Sequence, residues 1–275
     1  MWTFIMALVL SLFFWQDSSA FIWERTKNTK VNPWTRYQRI PPARETADKL
    51  MRYFMGIDDT VLRLMRRRHR RSMPQLYAQF DAIFIIDSSG SIRRRDYYRT
   101  IKALQILTGK AQHSRRYAAI TFSNNATIRF DFTERKEAVN NLRKIPFERG
   151  KTNTQDALEM CRKELILNRK TGARPGVRKR VLIITDGQSN VEKHKTLFRA
   201  FQLKMTGTQI FVIAIGKYIK GISEIVGLAS STDAHLYRVA DVNGLIRVVR
   251  MIPPWHRIKE YMSHSWLNRM LRNQA

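Results

Sequence analysis

The sequence contains a single cysteine, Cys161, so no disulfide bond can form within the chain. Small secreted domains without a large core usually depend on several disulfides, and this chain is not of that class. With 275 residues it is long enough to bury a sizeable core without them. Cys161 ends the mostly apolar stretch 157–161, which is typical of a helix face. We predict a buried, inert thiol, with an intermolecular bridge as the alternative.

Acidic residues are scarce: 22 Asp and Glu stand against 50 Lys and Arg, giving a formal net charge of +28. Such a charge favours polyanionic partners, namely acidic proteins, sulfated glycans, anionic lipids or nucleic acids. The basic runs 63–71, 93–95 and 178–180 lack interleaved aromatic residues on which bases could stack. We therefore expect no nucleic acid as a partner, while charge alone does not choose among acidic proteins, sulfated glycans and anionic lipids.

The common signatures of catalytic sites are also missing. The six histidines show no paired spacing for zinc or for a general base. A Gly-x-Ser-x-Gly elbow is absent because residue 87 is Asp, and Asp87-x-Ser89 lacks the second Asp of a phosphatase motif. Gly150-Lys151-Thr152 is not the end of a P-loop, since Ile145 stands where that motif needs glycine. We expect a protein that is not an enzyme.

No apolar run is long enough for a comfortable membrane span, which needs about 20 residues. Residues 2–15 are nearly all apolar and are followed by a polar stretch that ends at Ala20. This predicts a signal peptide over residues 1–20, cleaved after Ala20, with a retained anchor as the alternative. We expect no transmembrane segment in the mature chain, which would then be secreted.

A basic leader, residues 21–78, follows the predicted signal peptide. Its basic run ends in Arg68-x-Arg70-Arg71 before Ser72, which resembles a proprotein-convertase cleavage site. Residues 21–71 would then be a propeptide ending at Arg71; a solvated basic stretch that binds polyanions is an equal alternative. Apolar residues at loosely helical spacing predict a helix within 46–65.

Residues 79–252 alternate between short apolar runs and helical patterns, which predicts an α/β domain with helices on both faces of the sheet. The predicted strands are 81–87, 117–123, 126–132, 180–186, 210–216 and 235–240, and the predicted helices are 93–112, 134–144, 153–168, 192–205, 221–229 and 242–252. Only Asn124 and Asn125 separate the second and third strands, so 126–132 is predicted to be an antiparallel edge strand. The sheet is thus doubly wound, mostly parallel and six-stranded. Residues 253–275 form a basic amphipathic C-terminal tail.

Oxygen-bearing side chains follow two of the predicted strands and occur in one further loop. Asp87, Ser89 and Ser91 come at the end of the first strand, and Asp186 ends the fourth. Thr152 lies in the loop 150–154. Ligands of open α/β sheets bind at the carboxyl ends of the strands. Two carboxylates and three hydroxyls there predict a site for Mg²⁺, or for Mn²⁺ or Ca²⁺.

These segments together resemble the metal-ion-dependent adhesion site of the von Willebrand factor A domain. The resemblance covers residues 79–252 and places the five ligand positions at Asp87, Ser89, Ser91, Thr152 and Asp186. It implies a Rossmann-like fold and a divalent cation whose coordination is completed by a carboxylate of a protein ligand. The residues of these motifs are similar to those of the matrix-type A domains of matrilins and collagens. The arrangement of a short leader and a lone A domain is similar to that of proteins of invertebrate skeletal matrices.

The resemblance therefore implies a secreted extracellular matrix or adhesion protein, and a mineralised skeletal matrix is a further hypothesis. The alternative is a proteolytically processed soluble signalling or glycan-binding module that acts through its basic surface. Asn125 begins an Asn-x-Thr sequon at the predicted hairpin turn and is a candidate glycosylation site.

Overall fold

The computed structural model describes residues 32–57 and 79–259, which fall into two units that meet at residues 39 and 40. In the first unit the described residues form one short 3₁₀ helix, Thr35–Gln38. The predicted signal peptide with its Ala20 boundary, the basic run ending at Arg71 and the tail beyond residue 259 lie outside the described residues. No described helix is both long and apolar enough to cross a bilayer.

The second unit is built on a six-stranded sheet. Its strands are β1 (Phe80–Asp87), β2 (Arg116–Phe122), β3 (Ala126–Glu134), β4 (Arg178–Thr185), β5 (Gln209–Ile215) and β6 (Leu236–Val239). Their order is β3-β2-β1-β4-β5-β6, and only the β2–β3 pair is antiparallel. Every residue of β1 is buried, as its uninterrupted apolar run requires of a central parallel strand. The predicted fold is confirmed.

Helices cover both faces of the sheet. They are α1 (Ala43–Lys49), α2 (Arg94–Gly109), α3 (Arg135–Arg143), α4 (Thr154–Met160), α5 (Lys193–Lys204), α6 (Ile222–Leu228), α7 (Thr232–His235) and α8 (Val242–Met251). A π-helical turn extends α1 to Phe54, and another extends α4 to Ile166. Helices α1, α2, α3 and α8 share one core cluster with the side chains on one face of the sheet. Cys161 is buried, as predicted, and burial raises the pKa of its thiol.

The folded unit begins well before the predicted boundary at residue 79. Residues 40–57, the N-terminal segment, add six side chains to the main core cluster: Ala47, Leu50, Met51, Phe54, Met55 and Ile57. The predicted helix 46–65 starts earlier, at Ala43, and ends at Phe54. Gly56 explains the stop, because its φ of 63° is a left-handed conformation that terminates helices. The part of that prediction from residue 58 on lies outside the described residues.

The start of the predicted C-terminal tail also belongs to the packed part of the molecule. Ile258 is fully buried, and Trp255 packs against the main core cluster. The backbone N–H of Trp255 donates to the carbonyl of Lys110 at the end of α2 (2.9 Å). The described start of the tail, residues 253–259, therefore packs on the domain.

Candidate functional site

Two carboxylates lie side by side at the carboxyl edge of the sheet. Asp87 is the last residue of β1, and Asp186 directly follows β4. The two strands are neighbours at the centre of the sheet, with Ile86 paired to Ile184. Asp87 is only 1% exposed. The predicted approach of the two aspartates is therefore present in the structure.

Hydroxyl groups join these carboxylates into one continuous network. The Thr185 hydroxyl donates to Oδ2 of Asp87 (2.7 Å), and the backbone N–H of Ser89 donates to Oδ1 (2.9 Å). The Oγ atoms of Ser89 and Ser91 are 2.9 Å apart, and Ser91 Oγ donates to Oδ1 of Asp186 (3.0 Å). Four of the five predicted ligand residues are thus directly connected. Thr185 is a member that the sequence analysis did not assign.

Thr152 comes from a different loop, which is bonded to both of the others. The N–H of Gly90 donates to the carbonyl of Gly150 (2.7 Å). The N–H of Thr152 donates to Oδ1 of Asn190 (2.8 Å), and Ser189 Oγ donates to the Thr152 carbonyl (2.9 Å). Thr152 is buried. Its loop therefore sits between the Ser89–Ser91 loop and the loop that follows Asp186.

The negative charge of these two carboxylates is not balanced by a nearby positive group among the described residues. Burial raises the pKa of Asp87 from 3.8 to about 6, and the nearby Asp186 adds to the rise. Burial also raises the pKa of Asp186. No ion pair among the described residues includes either aspartate. A buried and a half-buried carboxylate side by side without a compensating cation are costly, and a divalent ion would supply the missing charge.

The donor set decides which class of ion fits. The described residues contain no group of three or more His, Cys, Asp or Glu side chains placed to hold a metal. The hydroxyls of Ser89 and Ser91, which adjoin these carboxylates, are available as further oxygen ligands for a cation at Asp87 and Asp186. An all-oxygen set of this kind fits Mg²⁺, Mn²⁺ or Ca²⁺ better than a soft metal.

Glu224, which the sequence analysis missed, supports the loop after Asp186. Glu224 is buried on α6, and its Oε1 accepts a hydrogen bond from the N–H of Ser189 (2.7 Å). Ser189 in turn holds the Thr152 carbonyl. No local motif marks Glu224, because it meets this loop from a helix 35 residues away in sequence.

The β2–β3 turn borders the site. The Oδ1 atom of Asn124 accepts from the N–H of Lys151 (3.0 Å), and its carbonyl accepts from Nδ2 of Asn153 (2.7 Å). Asn125 is exposed at the same turn, so its side chain is accessible. Its glycosylation remains a prediction.

Comparison with known proteins gives one consistent family. The model of the von Willebrand factor type A domain matches residues 81–250. The chain is 26% identical over 163 residues to the human collagen alpha-5(VI) chain, covering 57% of this chain and 6% of that one. It is 29% identical over 191 residues to von Willebrand factor A domain-containing protein 1 of Bos taurus, covering 67% of this chain and 45% of that protein.

Among solved structures, proximal thread matrix protein 1 from the mussel byssus superposes with a TM-score of 0.56 at 24% identity, covering 64% of this chain and 45% of that one. A second structure of that protein, at 23% identity and the same TM-score, has a zinc-occupied MIDAS motif. At this level of sequence identity, the structural similarity shows that the two proteins share a fold. The chain spans less than half the length of each of these relatives.

Proposed function

The chain belongs to the von Willebrand factor type A domain family, and from this premise we propose that it is a non-enzymatic extracellular matrix or adhesion protein that binds acidic partners through a divalent cation. The proposed ligands are Asp87, Ser89, Ser91, Thr152 and Asp186. The observation that carries the proposal is the pair of buried Asp87 and half-buried Asp186, linked through Ser89 and Ser91 and lacking a compensating charge among the described residues.

The chemistry of the residues supports recognition of a carboxylate. A divalent cation bound here would offer a coordination position to an anionic ligand. Asp87 and Asp186 neutralise two positive charges, whereas the serine and threonine hydroxyls coordinate without adding negative charge. Ser91 Oγ donates its hydrogen to Asp186 and accepts one from Ser89 Oγ, which leaves Ser91 one lone pair for a cation. A carboxylate from a partner is thus not repelled by surplus negative charge at the site.

The setting of the relatives supports an extracellular role. The relatives include collagen VI chains and a byssal thread matrix protein, whose own metal motif holds zinc in one structure. The predicted signal peptide over residues 1–20 agrees with secretion. Association with acidic polymer in a mineralised matrix is the finer form of the proposal, in which the basic surface would strengthen attraction in a salt-dependent manner.

A second candidate function is a glycan-binding or signalling module that acts through basic charge. Arg93, Arg94 and Arg95 are consecutive and exposed, which favours a polyanion surface independent of metal. Retention of the protein on heparin that persists after removal of divalent ions would support this candidate. Retention that requires the metal would support adhesion through the proposed site.

The direct test is calorimetric titration of the full chain with Mg²⁺, Mn²⁺, Ca²⁺ and Zn²⁺. We expect binding of one ion, lost in Asp186→Ala and retained in Asp131→Ala, a control that removes an exposed aspartate from β3. We also expect binding to immobilised polyaspartate that disappears with EDTA. Metal affinity unchanged by Asp186→Ala would contradict the site, and polyaspartate binding unaffected by EDTA would contradict the mechanism.

A further inference from the structure

A cavity of about 460 Å³ opens directly beside the proposed metal ligands. Asp87, Ser91 and Asp186 form part of its wall. From them it extends along the carboxyl ends of the strands to the N-terminal ends of α2 and α8, which pack against each other. Its volume lies within the range of about 300–1,000 Å³ that is usual for ligand pockets. The cavity is therefore larger than one coordinating carboxylate requires.

Three arginines line this cavity: Arg93, Arg95 and Arg99. Arg93 and Arg95 are exposed, and no hydrogen bond or ion pair from the described residues engages either guanidinium. Arg99 is half-buried, and its Nη1 donates to Oδ1 of Asn243 on α8 (2.8 Å). Arg94, by contrast, does not line the cavity and lies over the ring of Tyr98.

Charge in the cavity depends on the metal. Besides Asp87 and Asp186, the wall contains Asp96 and Asp241, so it has four acidic residues and three arginines. A divalent cation at Asp87 and Asp186 reverses this balance. Asp241 is also engaged as the N-cap of α8, where its Oδ1 accepts from the N–H of Gly244 (2.7 Å). The N-terminal ends of the 16-residue α2 and the 10-residue α8 add positive potential.

We propose that this cavity binds a second carboxylate of the same acidic partner whose first carboxylate reaches the metal. The inference rests on the proposed function and specifies its ligand: a peptide segment with two adjacent Asp or Glu residues. Guanidinium groups suit this task because they bind carboxylates through two parallel hydrogen bonds. Arg95 and Arg99 become specificity-determining residues that distinguish clustered from isolated carboxylates.

The test measures binding of fluorescent peptides to the full chain by anisotropy, in Mg²⁺ and in EDTA. One peptide has two adjacent Asp residues in a glycine background. The other has the same two Asp residues separated by a long glycine spacer, so that the net charge is equal. The variants are Arg95→Gln, the matched control Arg94→Gln on the same helical turn, and Asp87→Ala. Calorimetry with Mg²⁺ alone is run on every variant.

We expect the adjacent-Asp peptide to bind about 10-fold more tightly than the spaced peptide in Mg²⁺, as one added charge-assisted contact provides. Arg95→Gln should remove most of this advantage and leave Mg²⁺ affinity unchanged. Arg94→Gln should preserve the advantage. EDTA and Asp87→Ala should abolish it, because neither condition leaves a bound cation to hold the first carboxylate.

Equal affinity for the two peptides in a chain that binds Mg²⁺ would overturn the second subsite and leave the metal-dependent function standing. An equal loss in Arg94→Gln and Arg95→Gln would also overturn it, since general surface charge would then explain the effect. Absence of Mg²⁺ binding in the unaltered chain would overturn both proposals. Tighter, Arg95-dependent binding of a sulfated disaccharide would replace the acidic peptide as ligand.

Discussion

Charged side chains at the two ends of the central sheet have different kinds of partner. At the carboxyl end, Asp87 and Asp186 are packed together, and the described residues supply hydroxyls but no cation. At the amino end, Arg115 and Arg180 are buried, and the N-terminal segment supplies carbonyl oxygens to both. The amino end therefore finds its main partners within the chain, whereas the carboxyl end needs a partner from outside.

The amino end shows how a buried cation is compensated without an acid. Arg180 Nη1 donates to the carbonyl of Phe54 (2.6 Å), and Arg115 donates to the carbonyl of Met55. The two guanidiniums lie 4.2 and 4.3 Å from the ring centre of Phe80. Burial, followed by repulsion from Arg115, lowers the pKa of Arg180 to about 10. These carbonyls belong to the end of a helix, where cations are favoured.

The same use of positive charge recurs elsewhere on the domain. Lys110 donates to carbonyls at the end of α8 and Lys204 to carbonyls at the end of α6. Lys49 donates to the carbonyl of the first residue of α7 and to that of the residue after the helix. Part of the net charge of +28 is thus engaged in holding helix ends. The basic composition does not translate wholly into a surface for polyanions.

The largest expected effect on stability comes from removing the N-terminal segment, which supplies the partners of the charged groups at the amino end. The fragment 72–275, which cleavage after Arg71 would release, lacks the carbonyls that satisfy Arg115 and Arg180. It also lacks five large core side chains, each worth about 1.5–3 kcal/mol of burial. This loss is comparable to the total stability of a typical domain. We expect the isolated fragment to show no cooperative thermal unfolding by circular dichroism.

A point substitution in the full chain tests the packing of the N-terminal segment without shortening the chain. Phe54 contacts the rings of Phe80 and Phe211, with centroids 6.0 and 5.3 Å away. Phe54→Ala in the full chain should lower the free energy of unfolding by about 3–5 kcal/mol. Glu45→Ala, at an exposed position of α1, should change it by less than about 1 kcal/mol. A fragment 72–275 as stable as the full chain would show that the segment is dispensable.

Neutralising a buried charge should have opposite effects at the two ends. Arg180→Met leaves the Phe54 carbonyl without its donor and should cost about 1–3 kcal/mol of unfolding free energy. Its control is Arg178→Met, an exposed position on the same strand. Asp87→Asn removes a costly buried charge and should stabilise the metal-free protein by about 1 kcal/mol at pH 7.5.

Urea unfolding in EDTA measures all three variants. If Asp87→Asn destabilises the metal-free protein as much as Arg180→Met does, the proposed difference between the two ends of the sheet is wrong. In Mg²⁺ the order should change for a separate reason. The unaltered chain should gain stability from the ion, while Asp87→Asn should gain none.

The smallest expected effect is a pH dependence at the carboxyl end. The pKa of Asp87 is raised to about 6, so its protonated form favours the folded state. That contribution is complete below about 3.8 and is lost as the pH rises through about 6. A cation requires the ionised form, so Mg²⁺ affinity should fall as the pH drops from 7.5 to 5.5. Mg²⁺ titrations at three pH values check this, and a flat profile would contradict it.

Much of the architecture could be predicted because its signals are local. The apolar runs of β1 and β4 have no polar alternation, and a strand buried on both faces requires that pattern. Asp87, Ser89 and Ser91 lie within one short loop, so their proximity follows from chain connectivity. The short β2–β3 connection likewise determines an antiparallel pair.

The contacts that could not be predicted join distant parts of the chain. Arg180 meets Phe54 across 126 residues, and Thr185 meets Asp87 across 98. In the sequence, nothing distinguishes Arg115 and Arg180 from the other basic residues that are expected on the surface. Their burial depends on a segment that, by composition, belongs to the leader, and no local pattern reports which carbonyls it will present.

The sequence by itself determined the order of strands and helices, the loops that carry the proposed metal ligands and the excess of positive charge, because periodicity and composition act over neighbouring residues. Tertiary structure alone decided that the N-terminal segment completes the core, that Thr185 and Glu224 support the site, and that Arg95 and Arg99 face its cavity. Those outcomes depend on how separate elements pack, since the cost of burying a charge is set by the atoms that folding brings around it.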